Sequence, residues 1–189
     1  MINWERKTTW RVLMALLLAL GIAWIAASRV PAEQVMLRSQ RPPSPQAGFA
    51  APDFTLETLG GQSLRLADLR GQVVLINFWA TWCPPCRAEM PAIQQVYQRH
   101  REHGFTVLAV DIQEGDTQVA DFVDDMGLTF PILMDREGSV SANYQVKALP
   151  STFFVDREGV IQNVTLGGPM AEAFIESQVA GLLTAPGNE

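Results

Sequence analysis

Cysteine is almost missing: the 189 residues contain two, Cys83 and Cys86, and no third that carries a lipid, which excludes lipoprotein processing. Histidine is as scarce, with His100 and His103 the whole supply. Basic charge is deficient where a fold is expected: residues 1–49 carry a net +4 but residues 50–189 carry −10, within a total of −6. Nucleic-acid binding draws on clustered Lys and Arg to neutralise phosphates, so an acidic domain argues against that class. Periodicity is absent from Arg29 to Pro52, where Pro31, Pro42, Pro43, Pro45 and Pro52 stand among polar residues. This predicts an extended linker over 29–49, with Phe49, Ala50 and Ala51 apolar enough for its end to pack as an arm. The 48% apolar content suffices for one packed domain, expected over 50–185 and followed by a short tail, 186–189.

Val12 to Ala27 are sixteen residues without a charge, preceded by Arg6, Lys7 and Arg11 and followed by Arg29. A helix over 12–28 is roughly 26 Å long at ~1.5 Å per residue, close to the ~30 Å hydrocarbon core of a bilayer. Trp10 and Trp24 suit its two interfaces. Cleavage needs small residues at the right spacing, and only Ala26-Ala27-Ser28 offers them, with Arg29 immediately after. The expectation is an uncleaved signal anchor over 12–28. The basic residues before it keep a cytoplasmic N-terminus, 1–11, and send the rest of the chain outside.

What is present in abundance is one motif. Val73 to Trp79 is nearly unbroken apolar, as a central strand covered on both faces must be. It runs into Ala80-Thr81-Trp82-Cys83-Pro84-Pro85-Cys86, and from Cys83 the apolar Met90, Ile93, Val96 and Tyr97 recur at helical spacing up to Gly104. Pro84 and Pro85 fit the first turn, where N–H groups lack partners, whereas Pro91 removes a bond one turn later and predicts a kink. The chain before the motif reads as a β-hairpin, Phe54–Thr58 and Ser63–Leu66 around Gly60-Gly61, and a turn at Ala67–Arg70. After it come a strand at Phe105–Ile112, a helix capped by Asp116 or Thr117 and ended by Gly127, and a short strand at Phe130–Met134. A brief helix over Ser139–Tyr144, a hairpin of Thr152–Val155 with Val160–Val164, and a terminal helix around Phe174–Leu183 complete the pattern. Strands alternating with helices and closing in a hairpin predict an α/β domain, a mixed central sheet with helices on both faces.

A thiol attacks as thiolate, and a helix N-terminus favours that charge through its unpaired N–H groups and macrodipole. Cys83, outermost and next to Trp82, is placed to attack a substrate disulfide; Cys86, one turn inside, is placed to resolve the mixed disulfide by attacking Cys83. The redox-active Cys83–Cys86 pair then needs no cofactor. A purely stabilising disulfide is disfavoured because closing so short a loop removes little chain entropy. Zinc on Cys83, Cys86, His100 and His103 is disfavoured too: His100 lies 14 residues past Cys86, roughly 21 Å along a helix at ~1.5 Å per residue. The histidines are better suited to the helix C-terminus, where positive charge is favourable. A soft-metal module holding copper on the two thiols is the alternative from a different class. Thiol peroxidase chemistry usually shows Pro-x-x-x-Thr-x-x-Cys, and Ile76 and Ala80 stand at those positions.

These residues carry a resemblance. Ala51-Pro52-Asp53-Phe54-Thr55-Leu56, Phe78-Trp79-Ala80-Thr81-Trp82-Cys83-x-x-Cys86, and Leu149-Pro150-Ser151-Thr152-Phe153 before Asp156-x-x-Gly159 resemble membrane-anchored thioredoxin-like thiol-disulfide reductases of the TlpA/ResA type, in the AhpC/TSA-like redoxin superfamily. The likeness runs from about Ala51 to Leu183. It implies a thioredoxin-like fold with the N-terminal hairpin as an extension and Gln113–Met134 as a central insertion. It implies that Pro150 follows a cis bond and lies against the dithiol, with Leu149 offering backbone groups to the substrate. It also implies reduction of disulfides in exported proteins, including apocytochrome c before haem attachment, a membrane thiol-transfer protein as electron donor, and a monomer.

One departure stands out. Thioredoxins hold a buried carboxylate where this chain has Asn77, as TlpA-type proteins often do. An amide cannot take the proton of Cys86, which leaves Asp111, Glu114 and Glu89 as candidate acceptors, each otherwise an ordinary solvated carboxylate. Arg87 reads as an exposed first-turn residue.

Overall fold

The computed structural model describes residues 14–20, 24 and 42–185. The chain divides into two units, Met1–Arg41 and Pro42–Glu189. In the first, residues 14–20 are helical and exposed. Among the described residues no helix is long and apolar enough to cross a membrane. The expected N-terminal segment 1–11 and tail 186–189 lie outside the described residues, as do most of the expected anchor and linker.

The second unit is organised on one strand. β3 (Val73–Trp79) is buried at every position, since a run rich in β-branched and aromatic residues is stable only with cover on both faces. It pairs in parallel with β4 (Phe105–Ile112) and antiparallel with β6 (Ser151–Val155). With β5 (Ile132–Asp135) and β7 (Ile161–Leu166) the sheet order is β5-β4-β3-β6-β7. The small hairpin β1 (Thr55–Glu57) and β2 (Ser63–Arg65) forms a separate two-stranded sheet.

Alternation along β3 decides what each residue meets. Val73, Leu75 and Trp79 enter one core with Met90, Ile93 and Val96 of α1 (Pro84–His100), Val119 and Phe122 of α2 (Asp116–Met126), and Ile175 and Val179 of α4 (Glu172–Thr184). Val74, Ile76 and Phe78 enter the other with Phe54, Leu66, Val140 of α3 (Ser139–Asn143) and Tyr144. Asn77 therefore falls on the α1 face, between Leu75 and Trp79.

Both outer strands are covered. On the β5 side Thr58 bridges Leu133 and the Leu59 N–H donates to Ile132 O at 2.9 Å. On the β7 side Ala50 bridges Val160 and the Gly48 N–H donates to Ile161 O at 2.8 Å. Residues 42–49 thus form an arm on the folded unit, so the end of the expected linker is part of the domain.

Three local expectations are corrected. α2 is capped by Gly115, with no side-chain cap bond, and Asp116 is its first residue. β5 begins at Ile132 instead of Phe130, because Pro131 has no N–H to give a ladder. Pro91 lies inside α1, which runs from Pro84 to His100. His100 does not bond the helix end; its Nε2 meets Glu176 Oε1 of α4 at 2.6 Å, and Gly104 at φ 84° turns the chain.

Candidate active site

The end of β3 and the start of α1 fix the dithiol. Cys83 is the N-cap of α1, with extended backbone, and Pro84 and Pro85 occupy the first two helical positions. Prolines bring no N–H there, so Cys86 supplies the first free helical N–H, which donates to Cys83 Sγ at 3.3 Å. Cys83 and Cys86 are joined as a disulfide.

Exposure is concentrated beside the pair. Trp82 is 66% exposed, Cys83 only 3% and Cys86 0%. Cys83 is less open than its outer position suggests, but it alone of the two lines an open groove of about 560 Å³. Trp82, Pro84 and Pro85 form one wall of that groove, and Ile112, Val146 and Leu149 line it with them. Arg87 is exposed but engaged: its Nη1 donates to Thr81 O at 3.3 Å and its guanidinium lies 5.0 Å over the Phe122 ring.

A polar cluster lies on the α1 face of the sheet. Register places Asn77 opposite Thr152, and Asn77 Nδ2 donates to Thr152 Oγ1 at 2.9 Å and to Glu89 Oε1 at 2.8 Å. The Met170 N–H donates to Glu89 Oε2 at 3.0 Å. Glu89 is fully buried, one turn past Cys86 on the same helical face. Burial pushes its pKa above the ordinary carboxylate value, against the lowering pull of the Met170 N–H and the Asn77 amide. The Leu149–Pro150 bond is cis, as is Gly168–Pro169. A Cβ on Gly168 would stand 2.8 Å from Pro150 Cγ and 2.9 Å from Glu89 Oε2, so only glycine lets the chain pass between them.

The other two candidate carboxylates form a second cluster beneath the loop. Asp111, fully buried, pairs with Trp79 across the sheet. Glu114 accepts the N–H and, at 2.7 Å, the hydroxyl of Thr81, and Gln118 Nε2 donates to it as well. Burial, reinforced by the neighbouring Glu114 carboxyl, pushes Asp111 up to about 8. Glu89 and Asp111 are therefore not solvated carboxylates.

The structure brings Cys83, Trp82, Pro84, Pro85 and Leu149 together at the groove, with Cys86 bonded to Cys83 behind it. It puts Asn77 and Glu89 in one cluster, Pro150 against it across Gly168, and Asp111 with Glu114 in another. Sequence reasoning missed Thr152, the Met170 N–H, Gly168, Thr81 and Gln118. Of these only the Gly167-Gly168-Pro169 run carries a local signal, a marked turn.

Comparison with known proteins agrees with this geometry. Residues 47–164 match the AhpC/TSA family. The thioredoxin-like protein YneN of Bacillus subtilis is 44% identical over 125 residues, covering 65% of this chain and 72% of that protein. The thiol-disulfide oxidoreductase ResA of Halalkalibacterium halodurans is 35% identical over 176 residues, covering 91% of this chain and 96% of ResA. A thiol:disulfide interchange protein of the thioredoxin family from Chlorobium tepidum superposes with a TM-score of 0.66 at 29% identity, over 76% of this chain and 99% of that one. The five-stranded mixed sheet is thus a thioredoxin-like fold carrying a Cys-x-x-Cys disulfide at a helix start, and the chain belongs to the AhpC/TSA family as a thiol-disulfide oxidoreductase of the ResA type.

Proposed function

We propose that this protein is a membrane-tethered reductase that works outside the cytoplasm on disulfides of exported proteins, apocytochrome c before haem attachment among them. The observation that carries the reading is the asymmetry of the pair: Cys83 meets the groove and the Cys86 N–H, while Cys86 is shielded behind it. In the reduced protein the Cys83 thiolate attacks one sulfur of the substrate disulfide and the other leaves as thiolate. Cys86, deprotonated, then attacks Cys83 Sγ, and the second substrate thiolate leaves. Two electrons pass to the substrate and the Cys83–Cys86 disulfide forms. Of the three candidate acceptors for the Cys86 proton, Glu89 has the support of helical spacing, burial and a raised pKa.

The tether rests on the apolar run from Val12 to Ala27 with its basic flank. The match to ResA supports it, because 176 aligned residues are more than the folded unit holds and must include part of the N-terminal unit. An extracytoplasmic site suits the chemistry, since disulfides persist there and their reduction needs a dedicated donor. Recharging requires electrons from a membrane thiol-transfer protein, and the domain acts as a monomer.

Cys86→Ser in the full-length protein tests the reading. The variant is expected to accumulate exported proteins as mixed disulfides on Cys83, separable by reduction and identifiable by mass spectrometry. A folded, exported Cys86→Ser variant with no such adducts overturns the exchange mechanism, and adducts confined to cytoplasmic proteins overturn the location.

A further inference from the structure

The Asp111–Glu114 pair has no place in the exchange steps above. The Glu114 N–H donates to Asp111 Oδ1 at 3.2 Å, which sets the two side chains beside one another, and among the described residues Asp111 forms no ion pair. Asp111 is fully buried with the half-buried Glu114 carboxyl beside it, an arrangement that disfavours two charges, so the pair holds a proton. Donor count says where. Glu114 receives three donors: the Thr81 N–H, the Thr81 hydroxyl and the Gln118 amide. Asp111 receives one, the Glu114 N–H on Oδ1 at 3.2 Å, and its Oδ2 meets no donor. An acceptor surrounded by donors is best as carboxylate, and a carboxyl oxygen without a donor is best as O–H.

We propose that Asp111 is a positioning residue that acts as a neutral acid, its O–H donating to Glu114 so that Glu114 stays aimed at Thr81 and holds the loop that presents Cys83. The proposal deepens the reductase reading and rests on it for its effect on rate. The hold is two-sided, because Thr81 O takes the Arg87 guanidinium while Thr81 N–H and Oγ face Glu114. Loss of the Asp111 proton would leave two like charges in contact and release Glu114 from Thr81.

The charged groups around Asp111 reinforce this sense. Glu114 and Asp116 follow it in the chain, and Asp116 is itself bound by Arg136. On the neighbouring strand, Asp135 turns its carboxylate to the Val140 and Ser141 N–H groups. From β3 and its loop, Trp79 pairs with Asp111 across the sheet and Thr81 bonds Glu114.

Infrared spectroscopy of the oxidised full-length protein with isotope-labelled aspartate tests the proton's location without reference to turnover. A protonated aspartic acid carbonyl band is expected at pH 7, fading near pH 8, absent in Asp111→Asn and retained in Glu89→Gln. Reduction rates of a disulfide peptide test the positioning. Wild type should lose rate above about pH 8 in kcat instead of KM, and Asp111→Asn, which keeps a donor that cannot ionise, should lack that alkaline limb. Asp111→Ala should fall about tenfold at pH 7, the worth of one hydrogen bond to a charged group. Absence of the aspartic acid band, its replacement by a glutamic acid band that Glu114→Gln removes, or coincident pH profiles for wild type and Asp111→Asn would each overturn the proposal. A wild-type protein that shows the band but reduces no disulfide would instead overturn the reductase reading.

Discussion

Glu89→Gln is expected to slow resolution of the mixed disulfide by about 10²- to 10⁴-fold, the usual worth of a positioned general base, while attack by Cys83 stays near its wild-type rate. The substitution is nearly isosteric. Its amide oxygen can still accept the Met170 N–H or the Asn77 amide, so the fold loses little. What it loses is the ability to take a proton beside Cys86. Because burial raises the Glu89 pKa above the ordinary carboxylate value, its carboxylate is a stronger base than a solvated one and can return the proton in the reverse step. Quenched-flow trapping with a labelled disulfide peptide separates the two steps: the mixed disulfide should accumulate in Glu89→Gln and not in wild type. Equal slowing of both steps would mean that Glu89 only shapes the site. Unchanged rates would remove it from the mechanism.

The second large effect is on stability. In the unfolded chain Asp111 titrates near ~4, whereas in the oxidised domain burial and the Glu114 carboxyl raise it to about 8. Between those values the folded protein keeps a proton that the unfolded chain has released. Stability must therefore fall as pH rises through this window, by about 1 kcal/mol per unit, and level off above pH 8. Glu89, also raised by burial, adds in the same direction. Urea midpoints of the oxidised protein at pH 5, 7 and 9 should decline steadily, and Asp111→Asn should flatten most of that decline. Parallel declines for wild type and variant would show that Asp111 is ionised in the folded state.

The parts of the site that were legible in the sequence are those set by local chemistry. The apolar Val73–Trp79 run, the Cys-Pro-Pro-Cys turn and the helical spacing of Met90, Ile93 and Val96 lie within one stretch and specify a strand, a cap and a helix with little help from elsewhere. The rest depends on register. Asn77 and Glu89 are twelve residues apart in the chain, and what joins them is period-two alternation on β3 meeting the inner face of α1. Thr152 reaches Asn77 only because β6 pairs antiparallel at that step. Asp111 was legible only as a candidate acceptor or a solvated carboxylate, yet the pairing of β4 with both β3 and β5 buries it. Glycine outranked the expected Asp116 or Thr117 as the cap of α2, which a preference scale for side-chain caps does not anticipate.

The two prolines between the cysteines have a consequence for the direction of electron flow. A helix start ordinarily offers several N–H groups to an anion, but here the Cys83 N–H is spent on Ala80 O, Pro84 and Pro85 have none, and only the Cys86 N–H reaches the sulfur. A thiolate with a single backbone donor is less comfortable than one ringed by donors, which makes the reduced form costlier and the sulfur a keener nucleophile. About 30 mV of potential accompanies each 1.4 kcal/mol of that discomfort. The Pro-Pro step thus leaves the helix with little to offer the charge it would otherwise stabilise, and the reductase proposed above is expected to show a lower potential than a variant with Pro85 replaced by alanine.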